Sequence, residues 1–151
     1  MKVLFVDDDL MTHAMMKDIL KGWELIIASC AEEALDNFPE GYDLIVLTDI
    51  HMPGMGGVEF LRQIKKKYPY VQVIMVSSTE DTRNLLEAYE AGANDFVVKP
   101  FDRRDILKAL ENTIEKNKRW KDALGQLYLN KNRKSKNDEG QVYQRKDGLE
   151  L

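Results

Sequence analysis

Five short apolar runs, each separated from the next by a stretch of helical periodicity, constrain this chain more than any other feature. The runs are Lys2–Val6, Trp23–Ala28, Tyr42–Thr48, Val71–Val76 and Asp95–Val98. Runs of this length, bounded by turn residues, read as buried strands. Between them, Met11, Met15, Met16, Ile19 and Leu20 recur at helical spacing, as do Ala31, Ala34, Leu35 and Phe38. Val58, Leu61, Ile64 and Lys65 form a third such set, Leu85, Leu86, Tyr89 and Ala91 a fourth, and Ile106, Leu107, Leu110 and Ile114 a fifth. Gly22, Pro39, Pro69 and Gly92 supply stops, while Thr79 or Asp81, and later Asp102, suit helix caps. Strand–helix alternation repeated in this way predicts an α/β fold, a doubly wound parallel sheet with helices on both faces.

Right-handed crossovers leave few topologies, and the flavodoxin-like strand order 2-1-3-4-5 is the natural one for 151 residues. That order makes the first and third strands neighbours at the switch point, where ligands bind beyond the strand ends. Asp7 and Asp8 follow the first strand and Asp49 ends the third, so three acids converge on one crevice. Carboxylates that meet closely repel one another and lose solvent, so some must stay protonated unless a cation joins them. Mg²⁺ suits such a place, because it takes few carboxylates and keeps waters and a phosphate oxygen. Asp7–Asp9 taken alone read more simply as turn and capping residues, and the matching acid on the third strand decides against that. Lys99, held between an apolar run and Pro100, brings a point charge fit for a phosphate or carboxylate, and the Lys99–Pro100 bond is open to the cis form. Ser77 offers a hydroxyl to the same rim. An acid flanked by a cation site, a hydroxyl and an ammonium is arranged for phosphoryl chemistry, with Asp49 as nucleophile.

Composition removes several other classes. Cys30 is the only cysteine, so no disulfide framework and no cysteine-rich metal site is available. No stretch approaches the roughly 18 apolar residues of a membrane span, and Met1–Val6 is too short for a signal peptide, so a cytoplasmic location is expected. The net charge of −4 hides an asymmetry: residues 1–115 hold 12 Lys and Arg against 21 Asp and Glu, residues 116–151 hold 10 against 5. An acidic domain followed by a differently built tail is the expectation.

VDDD at 6–9, TDIHMPGMGG at 48–57, MVSS at 75–78 and VKPF at 98–101 appear in one order and spacing. In this the chain, from about Lys2 to Glu115, resembles the response-regulator receiver domain of two-component signalling, and the chemotaxis regulators among them. The resemblance implies that Asp49 accepts phosphate from the histidine of a sensor kinase or phosphotransfer protein. It implies that Asp8 and Asp49 ligate Mg²⁺ directly, that His51 adds its backbone carbonyl, and that Asp7 acts through water. Ser77 would turn toward the phosphoryl group and Lys99 would pair with it. Ser77 and Phe96 would form the switch that remodels the face of the fourth helix, fifth strand and fifth helix for an output domain or protein. His51 and Thr79 occupy the positions that tune the lifetime of the phosphoryl group. A receiver of this kind is a signalling module rather than an enzyme, promoting only its own phosphorylation and dephosphorylation.

Three departures stand out: Asp43 lies one residue further from Asp49 than in the family, Gly56 replaces a common acid, and His51 and Thr79 fill the variable positions flanking the site. Phe96 lacks the hydroxyl of Tyr, so its role rests on packing alone. Two rival chemistries fit less well. A phosphatase of the haloacid dehalogenase type wants an acid where His51 stands, and a flavin carrier wants a hydroxyl- and glycine-rich loop where DDDLM stands.

Residues 1–118 read as the receiver domain and 119–151 as a helical extension and polar tail. The last helix is expected to reach about Leu129. In one heptad register Leu110, Asn117 and Leu124 take a, and Thr113, Trp120 and Leu127 take d, a short seam suited to a homodimer contact or to folding back. The face of the fourth helix, fifth strand and fifth helix is the other candidate for dimerisation. The basic run NKNRKSKN at 130–137 reads as a solvated linker, and nucleic-acid binding is not expected, since no aromatic or helix-turn-helix pattern accompanies it.

Overall fold

The structure is a computed structural model that describes residues 1–144 apart from Tyr42, Thr79 and Asp81, with the backbone alone at 128, 129 and 131–144. The helix cap expected at Thr79 or Asp81, and the tuning role expected of Thr79, fall outside the described residues. The elements are β1 Lys2–Val6, α1 Leu10–Ile19, β2 Glu24–Ala28, α2 Ala31–Asp36 and β3 Leu44–Asp49. There follow α3 Gly57–Lys67, β4 Gln72–Ser78, α4 Thr82–Glu90, β5 Asp95–Lys99 and α5 Arg103–Gln144. The strands form one parallel sheet in the order β2-β1-β3-β4-β5, as the alternation predicts.

Every residue of the central strand β3 is buried, which is what helices on both faces of a parallel sheet require. On one face, Leu4, Val6, Leu44, Val46, Val73 and Met75 pack with Ala31 and Ala34 of α2 and with Phe60, Leu61 and Ile64 of α3. On the other, Phe5 meets the His13 ring of α1, and Arg103 at the start of α5 bonds the Asp18 carbonyl of α1. The first turns of α5 bury Ile106, Ala109, Leu110 and Thr113. Asp102 and Asp105 cap that helix reciprocally: each carboxylate accepts the other's backbone N–H, at 3.0 and 2.9 Å.

The end of the sheet away from Asp49 is tied by a lysine. Lys65 Nζ donates to the Val71 carbonyl at 2.7 Å and to Asn94 Oδ1 at 2.9 Å, and the same oxygen accepts from Val73 N. The helical spacing of Lys65 among apolar residues in α3 thus reflects a specific polar anchor, not a core position.

The chain divides into two units, Met1–Thr113 and the segment from Ile114 on. In the second, α5 continues to Gln144, well past the expected end near Leu129. The basic run at 130–137 is helical. Lys and Arg lose little freedom in a helix, and no proline interrupts the stretch. Leu110 and Thr113 of the expected seam are buried within the first unit, whereas Trp120, Leu124 and Leu127 are exposed.

Phe60 of α3 is fully buried in the core cluster against the sheet. Phe60→Ala is expected to lower the unfolding free energy by about 3–5 kcal/mol. Urea titration should show the midpoint falling at unchanged slope.

Candidate functional site

The parallel register fixes the heights of the strand ends before any side chain is considered. Val6 pairs with Thr48, so Asp7 and Asp49, the next residue of each strand, stand level. Asp49 pairs with Val76, and Ser77 is the next residue on β4. Ser78 pairs with Lys99. Acid, hydroxyl and ammonium thus lie within about one residue of a common level at the carboxyl edge of the sheet.

Asp7, Asp8 and Asp49 each offer a carboxylate oxygen, and these atoms lie within 4.8 Å of one another. Asp7 is buried completely, Asp49 almost so, and Asp8 is exposed. Lys99 Nζ bridges the two buried acids, 3.1 Å from Asp49 Oδ2 and 3.3 Å from Asp7 Oδ2. The second oxygen of each acid is held by backbone: Asp49 Oδ1 accepts from Ile50 N and Asp7 Oδ1 from Asp9 N, both at 2.8 Å. Asp9, in contrast, is the N-cap of α1, accepting from Met11 N and the Thr12 hydroxyl. The run of three acids therefore divides, with two in the crevice and one spent on a helix end.

The loop after β3 is fixed at both ends. At Gly57, the first residue of α3, a Cβ would stand 2.0 Å from the Asp49 carbonyl, so only glycine lets the helix start against the strand end. Gly54 adopts φ +78°, and beside it Met55 N donates to Glu32 Oε1 of α2 at 2.8 Å. Glu32 escapes a reading of motifs, since it sits 23 residues upstream in a helix with no chemistry of its own. Gly56 leaves α3 without a side-chain cap, as its replacement of an acid suggests.

Ser77 is buried, and its Oγ has no hydrogen-bond partner among the described residues. A buried hydroxyl without a partner is costly, and it matches a site built to receive further acceptor oxygens. His51 is exposed in the loop, two residues beyond Asp49. Phe96 lies on β5 and is about half exposed, apart from the acids. The Lys99–Pro100 bond is cis.

Residues 3–111 match the family described as the response regulator receiver domain. The chain belongs to that family. It is 40% identical over 118 residues to the chemotaxis protein CheY of Listeria monocytogenes, covering 76% of this chain and 99% of that protein. A cyclic di-GMP phosphodiesterase of Thermotoga maritima is 38% identical over 120 residues, covering 76% of this chain but 32% of the longer protein. A receiver domain protein from Clostridium thermocellum superposes with a TM-score of 0.72 at 33% identity, over 78% of this chain and 96% of that one. The chain is thus the receiver domain of a two-component response regulator. Receiver domains are signalling modules rather than classical enzymes; they work with histidine kinases and output domains and bind Mg²⁺ at an acidic pocket. Hard carboxylate oxygens, close together and beside a lysine, fit that ion. No helix among the described residues is long and apolar enough to cross a membrane.

Burial pushes the Asp49 carboxyl up; Lys99 pulls it down, Asp7 pushes it up again, and the balance stays above the ordinary value. Lys99 loses by burial but gains more from Asp49 and Asp7, and its pKa is also raised. Ionised Asp49 is therefore disfavoured in the metal-free fold, even with its counter-charge. Its penalty is present above the folded pKa and is relieved as pH falls through that value toward the ordinary carboxylate range. Lys99 contributes stability at all pH values below its ordinary range, lost only as pH rises through its raised pKa. Asp49→Asn is expected to raise the melting temperature of the metal-free domain at neutral pH. The gain should shrink as pH falls through the raised pKa of Asp49. Added Mg²⁺ should stabilise the wild type and leave the variant unchanged. Thermal melts across pH, with and without Mg²⁺, check both signs.

Proposed function

We propose that Asp49 accepts a phosphoryl group from the phosphorylated histidine of a sensor kinase or phosphotransfer protein, and that the face of α4, β5 and α5 reports its arrival. The observation that carries this reading is the Lys99 bridge between Asp7 and Asp49 within the three-carboxylate cluster. A carboxylate oxygen of Asp49 attacks phosphorus, the O–P bond forming as the donor's N–P bond breaks, and the donor imidazole takes up a proton. Asp8 and Asp49 would hold Mg²⁺ directly, His51 through its carbonyl and Asp7 through water. When bound, the ion neutralises charge on the transferring oxygens.

Lys99 is already oriented by two carboxylates, so little reorganisation is needed for it to meet a phosphoryl oxygen instead. Ser77 would give its unpartnered hydroxyl to another of these oxygens, and the movement would release Phe96 to repack. The domain would thereby govern only its own phosphorylation and dephosphorylation. Dimerisation would use the α4-β5-α5 face or the exposed Trp120, Leu124 and Leu127 of the extension.

Incubation with acetyl phosphate and Mg²⁺ should yield an acid-stable, base-labile adduct that Asp49→Ala abolishes. An unlabelled wild type, with small donors and with a cognate kinase alike, would leave only a docking module.

His51 is exposed in the loop two residues beyond the phosphoacceptor, where its side chain would govern the approach of water. Exchanging it should change the autodephosphorylation rate several-fold while Asp49 still labels. The decay of radiolabelled protein measures this, and an unchanged lifetime contradicts the role.

A further inference from the structure

His13 occupies the second turn of α1 but does not behave as a helix-surface residue. Its ring is more than nine-tenths buried, edge-on to Phe5 at a centroid distance of 6.1 Å. Its Nε2 meets the backbone carbonyl of Asp7. The ladders of β1 with both neighbours stop at Val6, so the Asp7 carbonyl lies beyond them. A carbonyl only accepts, so the Nε2 nitrogen must carry the hydrogen.

That carbonyl belongs to the peptide group joining Asp7 to Asp8. Turning this peptide about its axis would redirect the two flanking carboxylates. Asp7 has independent restraints, from Asp9 N and from Lys99. Asp8 is exposed, and no hydrogen bond of its carboxylate is found among the described residues. The direction of Asp8 therefore rests on the backbone, and the backbone there rests on His13.

We infer that His13 is a positioning residue for the cation site, aiming the Asp8 carboxylate by clamping the Asp7–Asp8 peptide. The inference rests on the reading of Asp7, Asp8 and Asp49 as a Mg²⁺ site. Groups that orient ligands in this way weaken metal binding when lost, without taking part in the chemistry.

Calorimetric titration of the full chain with Mg²⁺ tests it. His13→Phe keeps an aromatic ring against Phe5 but has no donor, and should weaken Mg²⁺ binding by roughly tenfold. Labelling of Asp49 by acetyl phosphate should reach the wild-type rate once Mg²⁺ is saturating. His13→Gln, which restores an N–H at similar reach, should recover most of the affinity. A purely structural role would lower the melting temperature and leave the affinity of the folded protein untouched, so a folded His13→Phe that binds Mg²⁺ as the wild type does overturns the inference. Nitrogen-15 spectra of the wild-type histidines give a check that needs no variant: His13 should show a slowly exchanging Nε2–H, and an Nδ1–H tautomer contradicts the clamp. Wild-type protein whose Mg²⁺ binding is absent, or is indifferent to Asp8→Ala, removes the site reading and this inference together.

Discussion

Asp7 and Asp49 stand level at the ends of adjacent strands, largely out of water, and two carboxylates so placed cannot both ionise cheaply without a positive charge between them. Lys99 supplies that charge from β5, reaching over β4 to touch both. The compensation is incomplete, because desolvation still leaves Asp49 above its ordinary pKa. On the proposed function, this incompletely neutralised pair is what would make Asp49 reactive. A fully satisfied acid would be a poor nucleophile and a poor metal ligand, and an unopposed one would be protonated. The remaining charge imbalance is what a divalent cation can relieve, and it gives cation binding a gain in the folded state that the unfolded chain lacks.

That electrostatic arrangement depends on backbone placement to a fraction of an ångström. The sheet register sets the level, and the absence of a side chain at Gly57 allows α3 to begin directly against the Asp49 carbonyl. Glu32 then holds the far side of the loop through Met55 N, and its carboxyl sits below the usual range chiefly because of that hydrogen bond. The buried Thr48 hydroxyl donates to the Asp49 carbonyl at 3.0 Å, one more restraint on the same residue. Asp49, the proposed phosphoacceptor, is thus held by several independent restraints, while Asp8 and His51 beside it face solvent. Precision at a nucleophile and openness at its flank suit the proposed exchange of a group with a partner protein.

Much of this was legible in the sequence because strands and helices announce themselves by period, and parallel crossovers restrict the order. Asp7, Asp8, Asp49, Ser77 and Lys99 could be grouped from strand ends alone. Glu32, His13 and Lys65 could not, since each acts on a backbone atom of another element, and a backbone atom leaves no mark in composition. The full length of α5 is illegible in the sequence for a different reason. Polar, basic stretches such as 130–137 have the composition of a linker and also an acceptable helix propensity, and periodicity is too weak there to decide. Leu110 and Thr113 of the heptad register are buried within the first unit while Trp120, Leu124 and Leu127 are exposed, a division that the register alone does not specify.

The buried Ser77 hydroxyl, without a partner among the described residues, bears on how the proposed phosphorylation would become a signal. A buried hydroxyl left unsatisfied costs about 1–3 kcal/mol, a cost that a correctly placed acceptor would remove. Relief of that size is comparable to the coupling between sites in ordinary allosteric proteins, about 5- to 150-fold in affinity. Ser77 pairs in register with Val98, two residues after Phe96, whose ring is half exposed on β5. A hydroxyl drawn toward new oxygens on one side of β4 would leave volume behind it, and close-packed interiors tolerate empty volume poorly. In the proposed switch the half-exposed Phe96 ring would fill that volume, gaining burial of its apolar surface in doing so. Phe96 has no hydroxyl to bond, so its placement would be set by packing and hydration alone. Two such conformations would differ by the Ser77 bond plus the burial of one ring, an energy small enough to be reversed when a phosphoryl group leaves.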